Sequence, residues 1–178
     1  MATYVSSGDK NSTDFIFVPF CLMCRAFQAV GIVQDDYFLT IKPVLDLLIK
    51  SEINIIQLPC PESSFISYDR GLSRLPAGLK MYLTDEYTNH CLELSRNSLE
   101  MIKAIIKKGY NIKAILGIEN SPSCAVNYIY SNKGMLKRSG VFIGILMRSL
   151  EEENITIPFM GINRRSTRKI IKALGSLL

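Results

Sequence analysis

Cysteines are the residues of this 178-residue chain best suited to binding a metal ion or a cluster. There are five, an odd number, and the N-terminal segment MATYVSSGDKNSTD has no apolar core of the kind that directs secretion. Metal, cluster or redox chemistry is therefore a stronger expectation than disulfides. The C-x-x-C pair has no second pair to match it, so a zinc ribbon is not predicted. The cysteines are Cys21, Cys24, Cys60, Cys91 and Cys124.

Alternating apolar runs and helical patterns decide where these cysteines lie in the fold. Short aromatic or β-branched runs at residues 14–20, 53–59, 112–118 and 155–162 predict four strands. Amphipathic spacing predicts four helices, with loops over residues 62–78 and 121–138. The helices are expected over residues 40–50 with Pro43 in the first turn, from between Thr84 and Thr88 to a stop at Gly109, over 140–153, and over 163–177 with Asn163 as its cap.

This alternation of strand and helix predicts an α/β fold. We expect an open, mostly parallel four-stranded sheet with helices on both faces, a Rossmann-like or flavodoxin-like three-layer sandwich. Residues 1–178 are expected to form a single domain, with residues 1–12 as a flexible N-terminal segment.

Three of the cysteines follow the ends of predicted strands. Cys21 comes directly after the first strand, Cys60 after the second, and Cys124 lies six residues past the third. The carboxyl ends of parallel strands meet at one edge of a sheet, where ligands of open α/β sheets bind. We therefore expect Cys21, Cys60 and Cys124 to converge at that edge.

Several kinds of site are compatible with three converging thiols. Soft thiolates select zinc, copper(I) or iron–sulfur clusters. The only histidine, His90, falls in or near the long helix and is a poor fourth ligand for zinc. A [4Fe–4S] cluster held by three cysteines leaves one iron open to a substrate. The alternative is that these are buried cysteines acting as small apolar residues, which is the favoured interpretation for Cys91.

Polar neighbours of the cysteines suggest further roles. Glu62 lies two residues after Cys60, where a carboxylate can give or take a proton beside a cluster. Ser121 and Ser123 can donate hydrogen bonds to sulfur or substrate near Cys124. Turn formation around Pro122 is an equally good explanation of both serines.

The motifs around the strand-end cysteines resemble those of the thiouracil desulfidase-related family. The similarity lies in Cys21-Leu22-Met23, in Leu58-Pro59-Cys60-Pro61-Glu62 and in the pattern G-x-E-x-S-P-S-C that ends at Cys124. It covers about residues 18–125, and the chain length is closer to that of the small members of the family. Weaker similarities, in a stretch expected to form a substrate loop, are Tyr68, Gly71, Arg74 and Pro76.

This resemblance implies a [4Fe–4S] cluster bound by Cys21, Cys60 and Cys124. The open iron would bind the sulfur of a small thiolated molecule, a thiocarbonyl or thiol compound, and the sulfur would be released as hydrosulfide. By the same resemblance Glu62 is the candidate for proton transfer and Ser121 for orienting the substrate. Ser123, Arg74 and Tyr68 are further candidates for contact with the substrate.

The chain departs from the family pattern at three positions. Cys24 replaces a small or amide residue, and as a fourth ligand it would close the cluster and make the protein a non-catalytic iron–sulfur, metal-binding or redox-sensing protein. Two equal alternatives are that Cys24 binds no cluster or that it takes the place of Cys21 as a ligand. Ala125 and Asn120 stand where the family has glycine. Asparagine tolerates a left-handed backbone better than most residues, so the loop is expected to keep its shape.

Composition limits the partners that this protein is expected to have. No apolar run approaches the ~20 residues that a membrane helix needs, so we expect a cytoplasmic protein. Lys and Arg total 21 against 16 Asp and Glu, a formal charge of +5. Helical periodicity accounts for the basic residues of the last third as a solvated surface, so nucleic-acid binding is not expected. These residues include Lys137, Arg138, Arg148, Arg164, Arg165, Arg168 and Lys169.

Overall fold

A parallel sheet of four strands forms the centre of the structure, a computed structural model that describes residues 13–24, 37–66, 80–131 and 134–178. The strands of this sheet are β1 (Asp14–Pro19), β2 (Asn54–Leu58), β3 (Asn111–Ile118) and β6 (Phe159–Ile162). Their order is β2-β1-β3-β6, and every pairing is parallel. The predicted α/β class and parallel sheet are confirmed. The expected flexible segment 1–12 lies outside the described residues.

Helices cover both faces of this sheet, as the continuous burial of its central strands β1 and β3 requires. Side chains of successive strand residues point to opposite faces. Phe17 and Ile115 therefore contact one core cluster, formed with α4 (Asp85–Lys107) and α5 (Val141–Glu152). Ile16 and Leu116 contact the other, formed with α2 (Tyr37–Lys50) and α6 (Arg168–Gly175). The three-layer arrangement is thus built from strands that are apolar on both sides.

The long helix α4 is bounded by the signals seen in the sequence. The Thr84 hydroxyl accepts a hydrogen bond from the Tyr87 N–H at 3.2 Å, which caps the first turn. At the other end Gly109 has a φ of 80°, a conformation that glycine adopts without a steric cost. The predicted start and stop of this helix are confirmed.

Other boundaries differ from the predictions. Helix α2 begins at Tyr37 rather than Thr40, so Pro43 lies beyond its first turn. Strand β6 begins at Phe159 because Pro158 has no N–H for the ladder, although its carbonyl accepts from the Ile115 N–H at 2.9 Å. Helix α6 begins at Arg168, and Asn163 instead closes a local turn by accepting from the Arg165 N–H at 2.9 Å.

Two of the predicted loops contain regular structure. A short helix, α3 (Pro61–Ile66), follows β2 in the stretch expected to be a loop after residue 62. Proline suits the first position of a helix, where its missing N–H has no intrahelical partner in any case. A hairpin of β4 (Tyr128–Ser131) and β5 (Gly134–Lys137) lies within the stretch 121–138, which was expected to be irregular. A short helix, α1 (Phe20–Met23), also follows β1 directly.

Candidate functional site

Three segments at the carboxyl edge of the sheet carry the strand-end cysteines. Cys21 lies in α1 directly after β1, and Cys60 lies between β2 and α3. Cys124 lies in the turn that follows β3, and its carbonyl accepts from the Ile118 N–H at 2.9 Å, which ties the turn to the strand end. Cys21, Cys60 and Cys124 are all free thiols and partly buried. The topological switch of the sheet lies between β1 and β3, so the cysteines flank the place where doubly wound sheets bind ligands.

The thiols of this edge interact electrostatically. Burial raises the pKa of the Cys124 thiol well above its ordinary value, and negative charge on Cys60 and Cys21 raises it further. Charge on Glu62 and Cys91 acts in the same direction. Cys124 is therefore a neutral thiol at physiological pH unless a cation or cluster compensates the charge of its thiolate.

The sulfur of Cys60 receives two hydrogen bonds from Ser63. The backbone N–H of Ser63 lies 3.4 Å from Cys60 Sγ, and the Ser63 hydroxyl lies 3.2 Å from it. Both donors come from the first turn of α3, directly after the cysteine. Donors aimed at a sulfur stabilise the thiolate form, and such contacts tune the potential of cluster ligands.

Cys24 lies at the C-terminal end of α1. Its backbone N–H donates to the Phe20 carbonyl at 3.0 Å, and its side chain is partly buried. Cys24 therefore lies three residues after Cys21 at the end of the same short helix.

Glu62 is a buried carboxylate that connects α3 to the Cys124 turn. Its exposed fraction is 5%, although it lies in the first turn of a short surface helix. The Ser123 hydroxyl donates to Glu62 Oε1 at 2.8 Å, and the Ser121 hydroxyl lies 3.5 Å from the same oxygen. The serines are separated from Glu62 by about 60 positions in the chain, so the folded sheet is what brings the predicted residues together.

Ser121 also organises the turn that holds Cys124. Its hydroxyl oxygen accepts hydrogen bonds from the N–H groups of Ser123 at 3.3 Å and Cys124 at 3.1 Å. This is the turn chemistry expected of a serine before a proline. The preceding residue, Asn120, has a φ of 69°, the left-handed conformation anticipated where the family pattern has glycine. Ser121 is therefore placed both to shape the turn and to reach Glu62.

Two buried residues of α4 extend this site and were not predicted to belong to it. The Tyr87 hydroxyl lies 2.6 Å from the Ser123 hydroxyl, and Cys91 lies one turn further along α4 with no exposed surface. Burial raises the pKa of both groups, that of Cys91 to about 12, and charge on Glu62 raises them further. Both residues are therefore neutral at physiological pH. In the sequence they are indistinguishable from core positions of an amphipathic helix.

His90 supports the segment around Cys60 from α4. Its Nε2 lies 2.7 Å from the Ser64 hydroxyl, which itself donates to the Cys60 carbonyl at 2.9 Å. Because the single hydroxyl proton of Ser64 is used in that bond, His90 Nε2 carries the proton that it donates to Ser64. The histidine therefore holds the α3 turn in place through Ser64.

A cavity of about 390 Å³ adjoins Cys60 on the side of α4. Its volume falls in the range of small-molecule sites, and its walls combine aromatic and aliphatic side chains with amides and hydroxyls. No charged side chain lines it within the part of the chain that the structure describes. The lining includes Phe17, Phe20, Gln57, Asn97, Ser98 and Met101.

The residues predicted to form a substrate loop lie outside the described residues; they are Tyr68, Gly71, Arg74 and Pro76. Among residues 13–24, 37–66, 80–131 and 134–178, no three His, Cys, Asp or Glu side chains are grouped to hold one metal ion. In the same residues no helix is long and apolar enough to cross a membrane.

Comparison with known proteins gives one relative. An uncharacterised protein of the archaeon Methanocaldococcus jannaschii is 29% identical over 138 residues, which cover 76% of this chain and 79% of that protein. No protein-family model matches the chain. No solved structure matches it either.

Proposed function

We propose that this protein is an iron–sulfur-dependent desulfidase that removes sulfur as hydrosulfide from a small thiocarbonyl or thiol compound. The observation that carries the proposal is the placement of Cys21, Cys60 and Cys124 just after the carboxyl ends of the three adjacent strands β1, β2 and β3. A buried carboxylate, Glu62, is hydrogen-bonded to the turn of Cys124 at the same place.

The donor set fits a [4Fe–4S] cluster better than a single ion. Each cysteine ligand of a cluster binds a separate iron, so the sulfurs need not meet around one point as the ligands of a zinc ion do. The two hydrogen bonds from Ser63 to Cys60 suit a sulfur that carries negative charge. Cys21, Cys60 and Cys124 would hold such a cluster, which would supply an open coordination position for the sulfur of a substrate.

Glu62 is the candidate for proton transfer. Replacing the sulfur of a thiocarbonyl by the oxygen of water requires a base to take protons from the water while the sulfur leaves as hydrosulfide. Glu62 is held for this role by Ser123, whose hydroxyl donates to its Oε1 at 2.8 Å. A carboxylate oriented in this way can accept a proton and return it.

Ser121 is the candidate for orienting the substrate. Two backbone N–H groups fix its oxygen, whereas its own proton makes a contact of 3.5 Å with Glu62, which is long for a hydrogen bond. The hydroxyl proton can therefore turn to an acceptor atom of a bound molecule without loss of a strong bond.

The cavity beside Cys60 favours a small, uncharged substrate. Its walls are mostly apolar, and Gln57 and Asn97 offer both a donor and an acceptor to a molecule with amide-like groups. We propose a cytoplasmic location, because the reducing conditions of the cytoplasm keep cysteine thiols free to bind a cluster.

A comparison of Cys24 with the proposed ligand Cys60 tests the proposal. Protein reconstituted anaerobically with iron and sulfide is compared with Cys24→Ser and Cys60→Ser, measuring bound iron and the hydrosulfide released from thiouracil. We expect Cys60→Ser to lose both iron and activity, whereas Cys24→Ser keeps both.

Two results would contradict the proposal. Loss of iron in Cys24→Ser would indicate ligation by four thiolates and hence a cluster carrier or redox sensor. Full iron content in the unaltered protein with no hydrosulfide from thiouracil or from simple thioamides and thiols would exclude a desulfidase of this kind.

A further inference from the structure

A series of hydrogen-bonded side chains runs from Glu62 into the core. The Ser123 hydroxyl lies 2.8 Å from Glu62 Oε1, and the Tyr87 hydroxyl lies 2.6 Å from Ser123 Oγ. Tyr87 and Ser123 have no exposed surface, and Glu62 has 5%. We call Tyr87, Ser123 and Glu62 the hydroxyl chain.

The direction of the hydroxyl chain follows from the number of protons available. The Ser123 hydroxyl is the donor to Glu62 Oε1, and a hydroxyl has only one proton to donate. The Ser123 oxygen can then only accept from Tyr87, which makes the phenol the donor. Hydrogen bonds linked in one direction strengthen one another in a buried setting.

The phenol of Tyr87 is itself held in place on two sides. Its ring makes edge-to-face contacts with Phe65 at a centroid distance of 5.1 Å and with Tyr82 at 5.2 Å. Cys91, one turn further along α4, is also fully buried. A ring packed in this way has few rotamers open to it, so its hydroxyl stays directed at Ser123.

We propose that Tyr87 is a positioning residue for the proposed reaction, whose hydroxyl fixes Ser123 and, through Ser123, the carboxylate of Glu62. Tyr87 acts from behind the site, because Ser123 separates it from Glu62. The activity measurement below rests on the proposed function, whereas the spectroscopic one does not.

The test compares two buried tyrosines that lie in contact. Tyr87→Phe removes the donor to Ser123 and keeps the ring packed on Phe65. Tyr82→Phe removes the same atom from the neighbouring ring, outside the hydroxyl chain. In the reconstituted protein we expect Tyr87→Phe to lower kcat for hydrosulfide release from thiouracil about tenfold with KM unchanged, a loss typical of a disturbed proton-transfer group. Tyr82→Phe should leave both parameters as they are.

A double variant separates action through Ser123 from a general effect on packing. If Tyr87 acts by holding Ser123, then adding Tyr87→Phe to Ser123→Ala should lower kcat no further, since the link is already broken. Independent, multiplicative losses in the double variant would overturn the proposal, and so would equal losses in Tyr87→Phe and Tyr82→Phe.

A spectroscopic measurement on the protein without cluster or substrate tests the same link. Difference Raman spectra between the unaltered protein and Tyr87→Phe isolate the ring doublet of Tyr87, whose intensity ratio depends on whether the phenol donates or accepts. We expect a strong donor, and a changed ratio when Ser123→Ala or Glu62→Gln is the background. An unchanged ratio in both backgrounds would show that Tyr87 is not coupled to Glu62, even if desulfidase activity is present.

Discussion

Cys60 and Glu62 lie two residues apart but take their hydrogen bonds from different parts of the chain. The sulfur of Cys60 is held locally by Ser63, within the first turn of α3. The carboxylate of Glu62 is held by Ser121 and Ser123, from the turn after β3. The position of the proposed proton-transfer group relative to Cys124 is therefore fixed directly by contacts between the two segments that carry them.

Replacing Glu62 by glutamine should separate cluster binding from catalysis. Glutamine has nearly the same shape and can still accept from Ser123 at its amide oxygen, but it cannot take up a proton at neutral pH. We expect Glu62→Gln to bind a normal amount of iron and to release hydrosulfide about 100-fold more slowly. Iron content and initial rates with thiouracil provide the measurement.

The control for this change is Glu86→Gln, an exposed carboxylate in the first turn of α4. It removes the same charge without touching the hydroxyl chain and should leave the rate unaltered. A Glu62→Gln protein as active as the Glu86→Gln protein would remove Glu62 from the mechanism.

The buried thiols should make the stability of the protein without cluster fall at alkaline pH. Burial raises the pKa of Cys91 from 9.0 to about 12, so the folded state keeps a proton that the unfolded chain loses above pH 9. Stability is thus retained below pH 9 and lost as the pH rises towards 12, with a slope that approaches about 1.4 kcal/mol per pH unit for one proton. Cys124 contributes in the same direction.

Urea unfolding between pH 8 and pH 10.5 measures this dependence, with Cys91→Ala as the comparison. Below pH 9 the variant should be less stable because it leaves a small cavity, but its free energy of unfolding should fall less steeply above pH 9. Parallel curves for the two proteins would mean that Cys91 titrates normally in the folded state.

Sequence reasoning identified the residues of the site that follow strand ends and missed those that approach it from a helix. Cys60, Glu62 and the serines near Cys124 could be placed because parallel strands end at one edge. Tyr87 and Cys91 could not be placed in this way. Their contacts depend on which face of α4 packs on the sheet and on how far the helix is shifted along it. Ser123 was a candidate for substrate contact, and the structure places its hydroxyl between Tyr87 and Glu62 with no exposed surface.

At the scale of the secondary-structure elements, backbone hydrogen bonds join the turn after β3 to the start of α5. The Gly140 N–H donates to the Ala125 carbonyl at 2.9 Å, and the Val141 N–H donates to the Pro122 carbonyl at the same distance. A Cβ on Gly140 would collide with the backbone of Ser123 and lie 2.7 Å from the Cys124 nitrogen. The absence of a side chain at Gly140 therefore allows the Cys124 turn to pack directly against the start of helix α5.

Substituting this glycine should displace the turn and with it the proposed site. Gly140→Ala forces the backbone of residues 123 and 124 to shift, at an expected cost of about 1–3 kcal/mol in the free energy of unfolding. The reconstituted variant should hold less iron because the Cys124 sulfur is moved from its place. Urea unfolding and iron analysis measure the two effects.

Gly175→Ala is the matched control, since a Cβ at Gly175 meets nothing within 4 Å. Alanine in the last turn of α6 should leave stability unchanged or raise it slightly, with normal iron binding. If Gly140→Ala behaves in the same way, the turn has room to move and the close packing has no consequence for the site.

Element boundaries were predictable where local chemistry sets them and not where tertiary pairing does. Thr84 and Gly109 bound α4 by local capping, and both were identified. Strand β6 starts only where it can pair with β3. The β4–β5 hairpin depends on pairs such as Tyr128 with Lys137, and the periodicity of the sequence did not predict it.

At the scale of the whole molecule, the order of the strands decides which cysteines follow neighbouring strands. The alternation of elements predicted a parallel sheet but left its strand order open. The observed order β2-β1-β3-β6 puts the three strands that precede Cys60, Cys21 and Cys124 side by side. Had β6 lain between β1 and β3, Cys124 would have been one strand further from Cys21, although the sequence pattern would read the same.

The distribution of charge over the molecule predicts how its activity depends on salt. The chain carries a formal charge of +5, and Arg165, Arg168 and Lys169 are exposed at the start of α6. The cavity beside Cys60, in contrast, has no charged lining residue among those described. If the substrate is a small uncharged molecule, the surface charge is irrelevant to its binding, and kcat/KM for thiouracil should change less than about twofold between 50 and 500 mM KCl.

The double variant Arg165→Gln, Arg168→Gln should then behave as the unaltered protein does at every salt concentration. A polyanionic partner such as RNA would give the opposite result, because releasing counterions from several phosphate contacts makes the affinity fall by orders of magnitude over the same range. Tight binding of a single-stranded RNA at 50 mM KCl, lost at 500 mM and in the double variant, would establish the basic surface as a binding site and overturn the prediction that it is only a solvated face.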